Sequence, residues 1–465
     1  MFLNAYNRFY SAFLSPFFPV FNKFTIIIIM IINTLIIFTD FSKKSYLCIL
    51  KNSMNPTATV LYISYDGMTD PLGQSQVLPY LTKLSEKGFK IVLVSFEKQE
   101  RFITTKSLIE KLCEEAGIVW NPLKYTKKPP ILSTLWDVFK LKRIILKLHQ
   151  QHHFSHTHCR SHIATIGGAY LRHKAGVPFI FDMRGFYADE RVDGGIWKLS
   201  NPLFKMVYRY FKTKEKEFLK NAAVTISLTE AGKKIIHGWE GFDQTPIEVI
   251  PCCADLDHFN RNRVNINQVM DWKKKLRINP DDFVVSYLGS LGTWYLGNEM
   301  FRFFKQLLIS RPNAKFLLIT PDSETMIAEI AKSNHIPSTS IVVQKAMRGE
   351  VPALLLLSDI SLFFIKPVFS KQASSPVKMG EILAMGIPVI ANVGVGDVDS
   401  IVNDTRCGIL IKNFSSESFD QGIASIPEFL NADKSVFVNA AKKYYSLENG
   451  VESYYKIYHK VQGNP

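Results

Sequence analysis

From Thr59 onward short β-rich runs alternate with helical stretches, pause, and begin again, and this doubled rhythm constrains the fold more than any other feature. The first series holds strands at Thr59–Tyr65, Lys90–Phe96, Phe154–His158, Pro178–Asp182 and Val224–Ser227. Helical stretches lie between them, at Gln76–Glu86 and near 132–149, 162–174, 197–220 and 229–237. The polar and basic stretch Cys252–Pro280 interrupts the pattern. A second series follows, with strands at Asp282–Leu288, Lys315–Ile319, Ser340–Val343, Ile360–Ile365 and Ile387–Ala391, and with an amphipathic helix over Glu299–Ile309. Short apolar strands separated by helices of roughly 10–20 residues predict βαβ units and buried parallel sheets. The economical reading is α/β: two doubly wound domains joined by a linker and facing across a cleft. Ligands of such sheets sit at the carboxyl ends of the strands.

Composition narrows the partners. The chain has 465 residues, 47% of them hydrophobic, so it can bury a large core and is neither a disordered chain nor a fibre. Six cysteines (48, 113, 159, 252, 253 and 407) show no CxxC spacing, which argues against a disulfide framework or a zinc ribbon and fits a reducing compartment. A net charge of +15 points to anionic partners: phosphorylated small molecules or an anionic membrane surface. With no aromatic RNA-binding signature, basic recognition helix or Arg/Gly-rich tail, nucleic acid is not expected as a partner.

Residues 1–53 stand apart. They carry five basic residues against the single Asp40, and Phe24–Thr39 is a run of sixteen residues without charge. A spanning helix needs about 20 apolar residues, so the run is marginal as a membrane anchor. If it spans, Lys43, Lys44 and Lys51 place the bulk of the chain on the cytoplasmic side. A dispensable extension and an interfacial segment are the alternatives; a cleaved signal peptide fits poorly. The helix over 198–220, with Lys205, Arg209, Lys212, Lys214 and Lys216, is a candidate for an anionic membrane surface or an ordinary solvated face.

Three strand-end loops carry candidate chemistry. After the first strand, Tyr65–Gln76 has glycines at 67 and 73 but no dinucleotide fingerprint; it reads as an anion-approaching turn or a plain βα connection. The loop Gly289-Ser290-Leu291-Gly292-Thr293 offers glycines and hydroxyls to phosphate oxygens, without the lysine of a P-loop. The segment Lys366–Gly396 is the densest. Its apolar spacing predicts a helix from about Pro376, with proline in the first turn and Ser374 and Ser375 as candidate N-caps. Lys378 beside that N-terminus suits a phosphate, and Glu381 one turn on suits the vicinal hydroxyls of a ribose. A capped surface helix with a Lys378–Glu381 ion pair is the plainer alternative.

SSPVKMGEILAMGIPVIAN resembles the donor-binding signature of family 4 glycosyltransferases of the GT-B fold. DPLGQSQVLPYLTKLSEKGFKIVLVSFEK, YLGSLGTWY and VIPCCADLDHF resemble that family's N-domain loop, C-domain opening and interdomain stretch, so the likeness runs from about Val60 to the C-terminus. It implies two Rossmann-like domains: an acceptor domain over 54–260 and a nucleotide-sugar-binding domain over 261–440. Residues 441–465 would form a helical segment packing back on the first. By the resemblance, Glu381 holds the ribose, Lys378 lies near the diphosphate, and the loops at Gly73 and Gly289–Thr293 line the cleft.

Three positions depart from the family. A second acid expected eight residues before the glutamate is Ala373; the basic residues usual after the C-domain's first strand are Ser290 and neutral neighbours; and a His-Gly pair is Arg184-Gly185. Lys366 and Lys371 are candidates for the displaced positive charge. Arginine stays protonated, so Arg184 can hold a phosphate but cannot act as a base. Asp182, Asp189 and Glu190 are then the available carboxylates, with a buried Asp182–Arg184 pair as the structural alternative. His158 is a candidate active-site group or a buried, hydrogen-bonded histidine. His156 shares its strand face, but no third ligand follows and no metal is expected.

The expected activity is transfer of a sugar, hexosyltransferase-like, retaining and metal-independent. The donor is a nucleotide-sugar substrate rather than a cofactor, and the acceptor a saccharide or polyprenyl-linked saccharide in cell-surface polysaccharide synthesis. The expected location is the cytoplasm, with attachment to the cytoplasmic face of the inner membrane. The alternatives are a nucleotide-sugar 2-epimerase-type isomerase and a nucleotide-sugar-binding protein that has lost catalysis.

Overall fold

The computed structural model describes residues 58–463; the expectations for residues 1–53 lie outside the described residues. Seven strands build a first sheet: β1 (Ala58–Ser64), β2 (Phe89–Glu97), β3 (Val119–Lys124), β4 (His156–Arg160), β5 (Phe179–Asp182), β6 (Val224–Ser227) and β7 (Ile247–Val249). They pair in parallel in the order β3-β2-β1-β4-β5-β6-β7, with Val60 of β1 opposite Ile91 on one side and His156 on the other. Six more strands form a second parallel sheet: β8 (Phe283–Leu288), β9 (Ala314–Ile319), β10 (Ile341–Gln344), β11 (Ile360–Phe363), β12 (Val389–Asn392) and β13 (Gly408–Ile411), in the order β10-β9-β8-β11-β12-β13. In each sheet the chain starts centrally, winds outward, then returns past its first strand. Each is the doubly wound pattern expected from the sequence, and each has a switch point beside its first strand.

Helices of the first lobe are α1 (Pro71–Gln76), α2 (Leu78–Glu86), α3 (Gln99–Glu115), α4 (Leu132–His152), α5 (Ser161–Ala175), α6 (Tyr187–Asp193), α7 (Pro202–Asn221) and α8 (Glu230–His237). Those of the second are α9 (Ile266–Lys275), α10 (Gly297–Ser310), α11 (Glu324–Ser333), α12 (Val351–Leu355), α13 (Val377–Ala384), α14 (Val398–Thr405), α15 (Ser416–Leu430) and α16 (Lys434–Tyr445), followed by α17 (Leu447–Gly463). The stretch read as one helix over 197–220 starts only at Pro202, because Asn201 caps it by accepting from the Leu203 N–H at 2.9 Å and the proline fixes the first turn. Among the described helices none is long and apolar enough to cross a membrane.

The strands that the sequence pattern did not show are edges, and several helices also escaped it. β3, β7 and β13 each lie at the rim of a sheet. β3 reads VWNPLK, and an edge strand tolerates Pro122 because only one neighbour needs its N–H. The unread helix α3 buries only Ile109 and Cys113, too few apolar positions to reveal a helical period.

Packing ties the sheets to the candidate site. Phe303, Phe304 and Leu307 of α10 are fully buried with Phe316 and Leu317 of β9. α17 follows α16 of the second lobe yet puts Tyr454, Ile457 and Tyr458 into one cluster with Val60, Tyr62 and Ile91 of the first sheet. The crossing is fixed where the Ala254 N–H donates to the Tyr445 carbonyl at 2.7 Å. α13 lies against α16 so closely that a Cβ on Gly380 would stand 2.5 Å from the Cβ of Tyr445.

Substituting Gly380→Ala therefore forces α13 off α16. We expect a loss of about 1–3 kcal/mol in denaturant unfolding, the usual range for overpacking a filled contact; an unchanged midpoint would show that the two helices do not need this approach.

Candidate active site

The site begins at the end of β8. Gly289 has φ +108°, and a Cβ there would be 3.0 Å from the Lys378 Nζ, so only glycine fits both the backbone and the room this ammonium takes. Lys378, the second residue of α13, is 7% exposed. Its Nζ lies 3.3 Å from the Tyr287 hydroxyl, 4.4 Å above the Tyr287 ring and 3.5 Å above the Tyr295 ring. Among the described residues no carboxylate lies within ion-pair distance of it; the i,i+3 pair with Glu381, the plainer alternative for this helix, does not form. Ring faces attract a cation but do not neutralise it. Burial is the main reason that the Lys378 pKa falls to about 7, with Glu381 and Asp322 only partly offsetting it.

Glu381, one turn on, faces Arg348 at 3.8 Å. Burial raises its pKa, while Arg348 and Lys378 pull it back. The loop after β8 is shaped by Asp322, which accepts from the Ser290 hydroxyl at 2.9 Å and from the Leu291 N–H at 2.7 Å. Ser290 and Thr293 are exposed on the lip of the site. Ser374 and Ser375 are not the caps of α13: Pro376 takes the cap position with no side-chain bond, and the Ser375 hydroxyl instead accepts from the Cys252 N–H at 3.2 Å. That bond brings the linker between the lobes against the N-terminus of α13.

The first lobe closes the site from the ends of β4 and β5. The Asp182 carboxylate is buried, 3.4 Å from the His158 Nε2 and 3.7 Å from the Arg184 guanidinium. The other imidazole nitrogen of His158 lies 2.8 Å from the Tyr458 hydroxyl. Burial pushes the His158 pKa down, and its contact with Asp182 only partly restores it. A neutral imidazole between a carboxylate and a phenol donates from Nε2 to Asp182 and accepts at Nδ1. Burial alone would raise the Asp182 pKa, but Arg184 and His158 outweigh it and hold the carboxyl below its ordinary range. Arg184 adopts φ +57° and donates to the Cys252 sulfur at 3.1 Å. Through Cys252 it meets Ser375, so Asp182, Arg184, Cys252, Ser375 and α13 form one connected path across the lobe seam.

Several sequence candidates lie elsewhere. Asp189 is held by the Tyr208 hydroxyl and the Lys212 ammonium, both at 2.8 Å. It lines a separate surface cavity of about 420 Å³ with Trp239 and Phe369, away from Asp182 and His158. Lys366 donates to the Asp193 carbonyl at 3.1 Å, and Lys371 pairs with Glu190 at 2.7 Å beneath the Trp294 ring. Both are fastened to α6 across the seam, so neither makes up for the neutral residues after β8. Gly73 is buried, and a Cβ on it would lie 2.3 Å from the Gly67 carbonyl, so its role is close packing of α1 on the preceding loop. The Met68 and Thr69 N–H groups of that loop are taken by the Glu97 carboxylate, at 2.8 and 3.0 Å, so the turn holds an anion of its own chain.

Tyr287, Tyr295, Arg348, Asp322, Cys252 and Glu97 escaped sequence reasoning. Tyr295 lies inside the quoted YLGSLGTWY, but only tertiary contact shows it under an ammonium. Arg348 has no local signal at all.

Chemically, the site offers a buried cation at a glycine loop and helix N-terminus, a carboxylate one turn away, and a guanidinium steadied by a buried carboxylate. The family described as "Glycosyltransferase Family 4" matches residues 75–258, and that described as "Glycosyl transferases group 1" matches residues 268–443. No curated protein matches the sequence. A glycosyltransferase from Rickettsia africae is similar in fold, at TM-score 0.67 and 14% identity over 89% of this chain and 100% of that one. HepE from Anabaena, solved with UDP and glucose, gives 0.61 and 13% over 86% and 99%. WaaG, a glycosyltransferase involved in lipopolysaccharide biosynthesis, gives 0.58 and 14% over 86% and 99%.

Replacing Lys378 with methionine removes a buried, unpaired charge while keeping an apolar stem. We expect Lys378→Met to stabilise the unliganded protein by on the order of 1 kcal/mol near neutral pH. The sign follows from the titration. The folded-state pKa of about 7 lies below the unfolded 10.5, so the cost of the charge is full below pH 7 and fades as pH rises toward 10.5. The stability gap between variant and parent should therefore close over that range. A variant less stable than the parent at every pH would refute this.

Proposed function

Because the chain belongs to the family 4 glycosyltransferases, its two family matches together reaching from residue 75 to residue 443, we propose that the seam between its lobes binds a nucleoside diphosphate sugar. The observation that carries the reading is the Lys378 ammonium, buried beside a glycine turn and a helix N-terminus without a carboxylate partner among the described residues. Such a cation is complementary to a diphosphate. Glu381, one turn along, accepts from the vicinal hydroxyls of the ribose.

The transfer substitutes the diphosphate at the anomeric carbon by an acceptor hydroxyl. As that bond breaks, the electron pair leaves with the diphosphate, and the added negative charge falls where Lys378 and the first N–H groups of α13 already point. Arg184 reaches the seam from the other lobe; Asp182 fixes its guanidinium, and His158 with Tyr458 fixes Asp182. In this reading Arg184 meets the leaving phosphate or the acceptor, and His158 and Asp182 are positioning residues. Retention of configuration follows the family resemblance. The proposed acceptor is a saccharide or a lipid-linked saccharide in cell-surface polysaccharide synthesis at the cytoplasmic face of a membrane. The net charge of +15 and the fold likeness to WaaG support that choice.

The test is a thermal-shift screen of UDP-, GDP-, ADP- and CMP-sugars, followed by calorimetry on the best binder. Ligand held by the native state raises its melting temperature by mass action. Glu381→Ala should weaken that sugar nucleotide by about ten- to a hundredfold, the loss of two hydrogen bonds to a carboxylate. Affinity should fall as pH rises above about 7, where Lys378 loses its proton, and Lys378→Met should flatten this dependence. Donor incubated alone should yield no epimer, which separates transfer from isomerisation. No binder in the panel, or unchanged affinity in Glu381→Ala, would overturn the assignment.

A further inference from the structure

α4 begins with apolar side chains turned away from the core. Leu132, Leu135, Trp136 and Phe139, at positions i, i+3, i+4 and i+7 of one face, are 63%, 59%, 54% and 48% exposed. The Trp136 and Phe139 rings stack at 5.5 Å, and Arg143 lies 5.6 Å above Phe139. This face is rigid. Asp137, on the opposite side of the same turn, is fully buried and accepts from the Tyr65 hydroxyl at 2.9 Å and the Thr126 hydroxyl at 2.7 Å.

Charge surrounds the apolar patch with one sign. Between Lys124 and His153 there are seven Lys and Arg residues and a single acid, Asp137, which Lys140 pairs at 2.7 Å inside the fold. Lys127, Lys128, Arg143 and Lys147 remain exposed around the patch. A satellite cluster of Val138, Ile163 and Phe211 joins α4 to α7, where Leu203, Met206 and Tyr210 are also exposed beside Lys205 and Arg209. In α7 itself Lys212 and Lys214 are bound by Glu215 and Glu217, so that helix presents less free charge than its sequence suggests.

We propose that this face of the first lobe, centred on Trp136 and Phe139, docks on an anionic lipid leaflet. An aromatic and aliphatic stripe inside a ring of lysine and arginine fits the headgroup–acyl boundary of such a bilayer. A second copy would bring two basic rims together, and that repulsion disfavours it as the occupant. The patch lies at the carboxyl-end rim of the first sheet: α4 follows β3, and Tyr65, which bonds Asp137, follows β1. Docking would thus hold the catalytic seam's own rim toward the membrane. The inference deepens the proposed function and rests on its placement of the enzyme at a membrane face; its test needs neither donor nor acceptor, so the two can fail separately.

The full chain is mixed with phosphatidylcholine vesicles containing about one third phosphatidylglycerol, the lipids carrying brominated acyl chains that quench nearby tryptophan. Quenching of the parent should be largely lost in Trp136→Phe, because Trp136 is the indole placed in the acyl boundary. Lys127→Glu with Lys128→Glu should weaken vesicle binding by about tenfold or more, and added salt should erase that difference. Both positions are exposed, so melting temperatures should stay unchanged. Equal quenching in the parent and Trp136→Phe overturns the proposal. So does a dimer in vesicle-free solution that Trp136→Ser with Phe139→Ser splits.

Discussion

An ammonium kept out of water, with no carboxylate paired to it among the described residues, is the constraint around which the site is arranged. Burial dominates at Lys378: Glu381 and Asp322 offset only part of the desolvation, the Tyr287 and Tyr295 rings beneath it do not neutralise it, and its pKa falls to about 7. Each neighbouring feature serves to keep it there. Gly289 leaves the room, and Asp322 folds the loop that follows it. Gly380 seats α13 against Tyr445 of α16.

The two lobes meet over this lysine through two kinds of contact. Those at the seam are mostly polar, although Phe186 stacks on Phe369 at 4.9 Å and Ala373 is buried in the first lobe's cluster. Asp397 of the second lobe accepts from the Glu230 and Ala231 N–H groups at 2.7 and 2.9 Å, satisfying the free amides of α8 from across the gap. The Thr229 hydroxyl donates to the Gln372 carbonyl at 2.7 Å, and the Ser370 N–H donates to Asp193 at 3.0 Å. Such bonds are worth roughly 1 kcal/mol each net, because water replaces them readily. The other contact is apolar: Tyr454, Ile457 and Tyr458 of α17 are buried in the first sheet's core. The α17 strap adds buried apolar surface to these seam contacts, and it also carries the Tyr458 hydroxyl that fixes His158.

How far the sequence could be read follows from where information is stored. Every strand recognised from apolar runs is present, because strands covered on both faces must be apolar along their length. The strands that escaped, β3, β7 and β13, sit at rims where one face or one neighbour is missing, and there the pattern dissolves. Within the site, Lys378 and Glu381 were legible because their spacing is local to one helix. Asp182 and Arg184 were legible as neighbours, although His158, the group beside Asp182, comes from another strand. Asp189 shares a segment with them but turns with α6 toward Lys212, and Lys366 and Lys371 look like free cations until Asp193 and Glu190 are found beside them.

The sequence by itself determined the two doubly wound lobes, the strand-end loops and the lysine–glutamate helix. These depend on periodicity and short spacing, which a linear chain records directly. Tertiary structure alone decided which charges are spent and which are kept. Whether a lysine is neutralised depends on a carboxylate that can lie anywhere along the chain, and whether a leucine is exposed depends on which helix covers it. Lys371 and Lys378 stand seven residues apart in one segment. One is paired with Glu190 and the other is buried over tyrosine rings with no acid in ion-pair reach among the described residues, a difference made by distant parts of the fold.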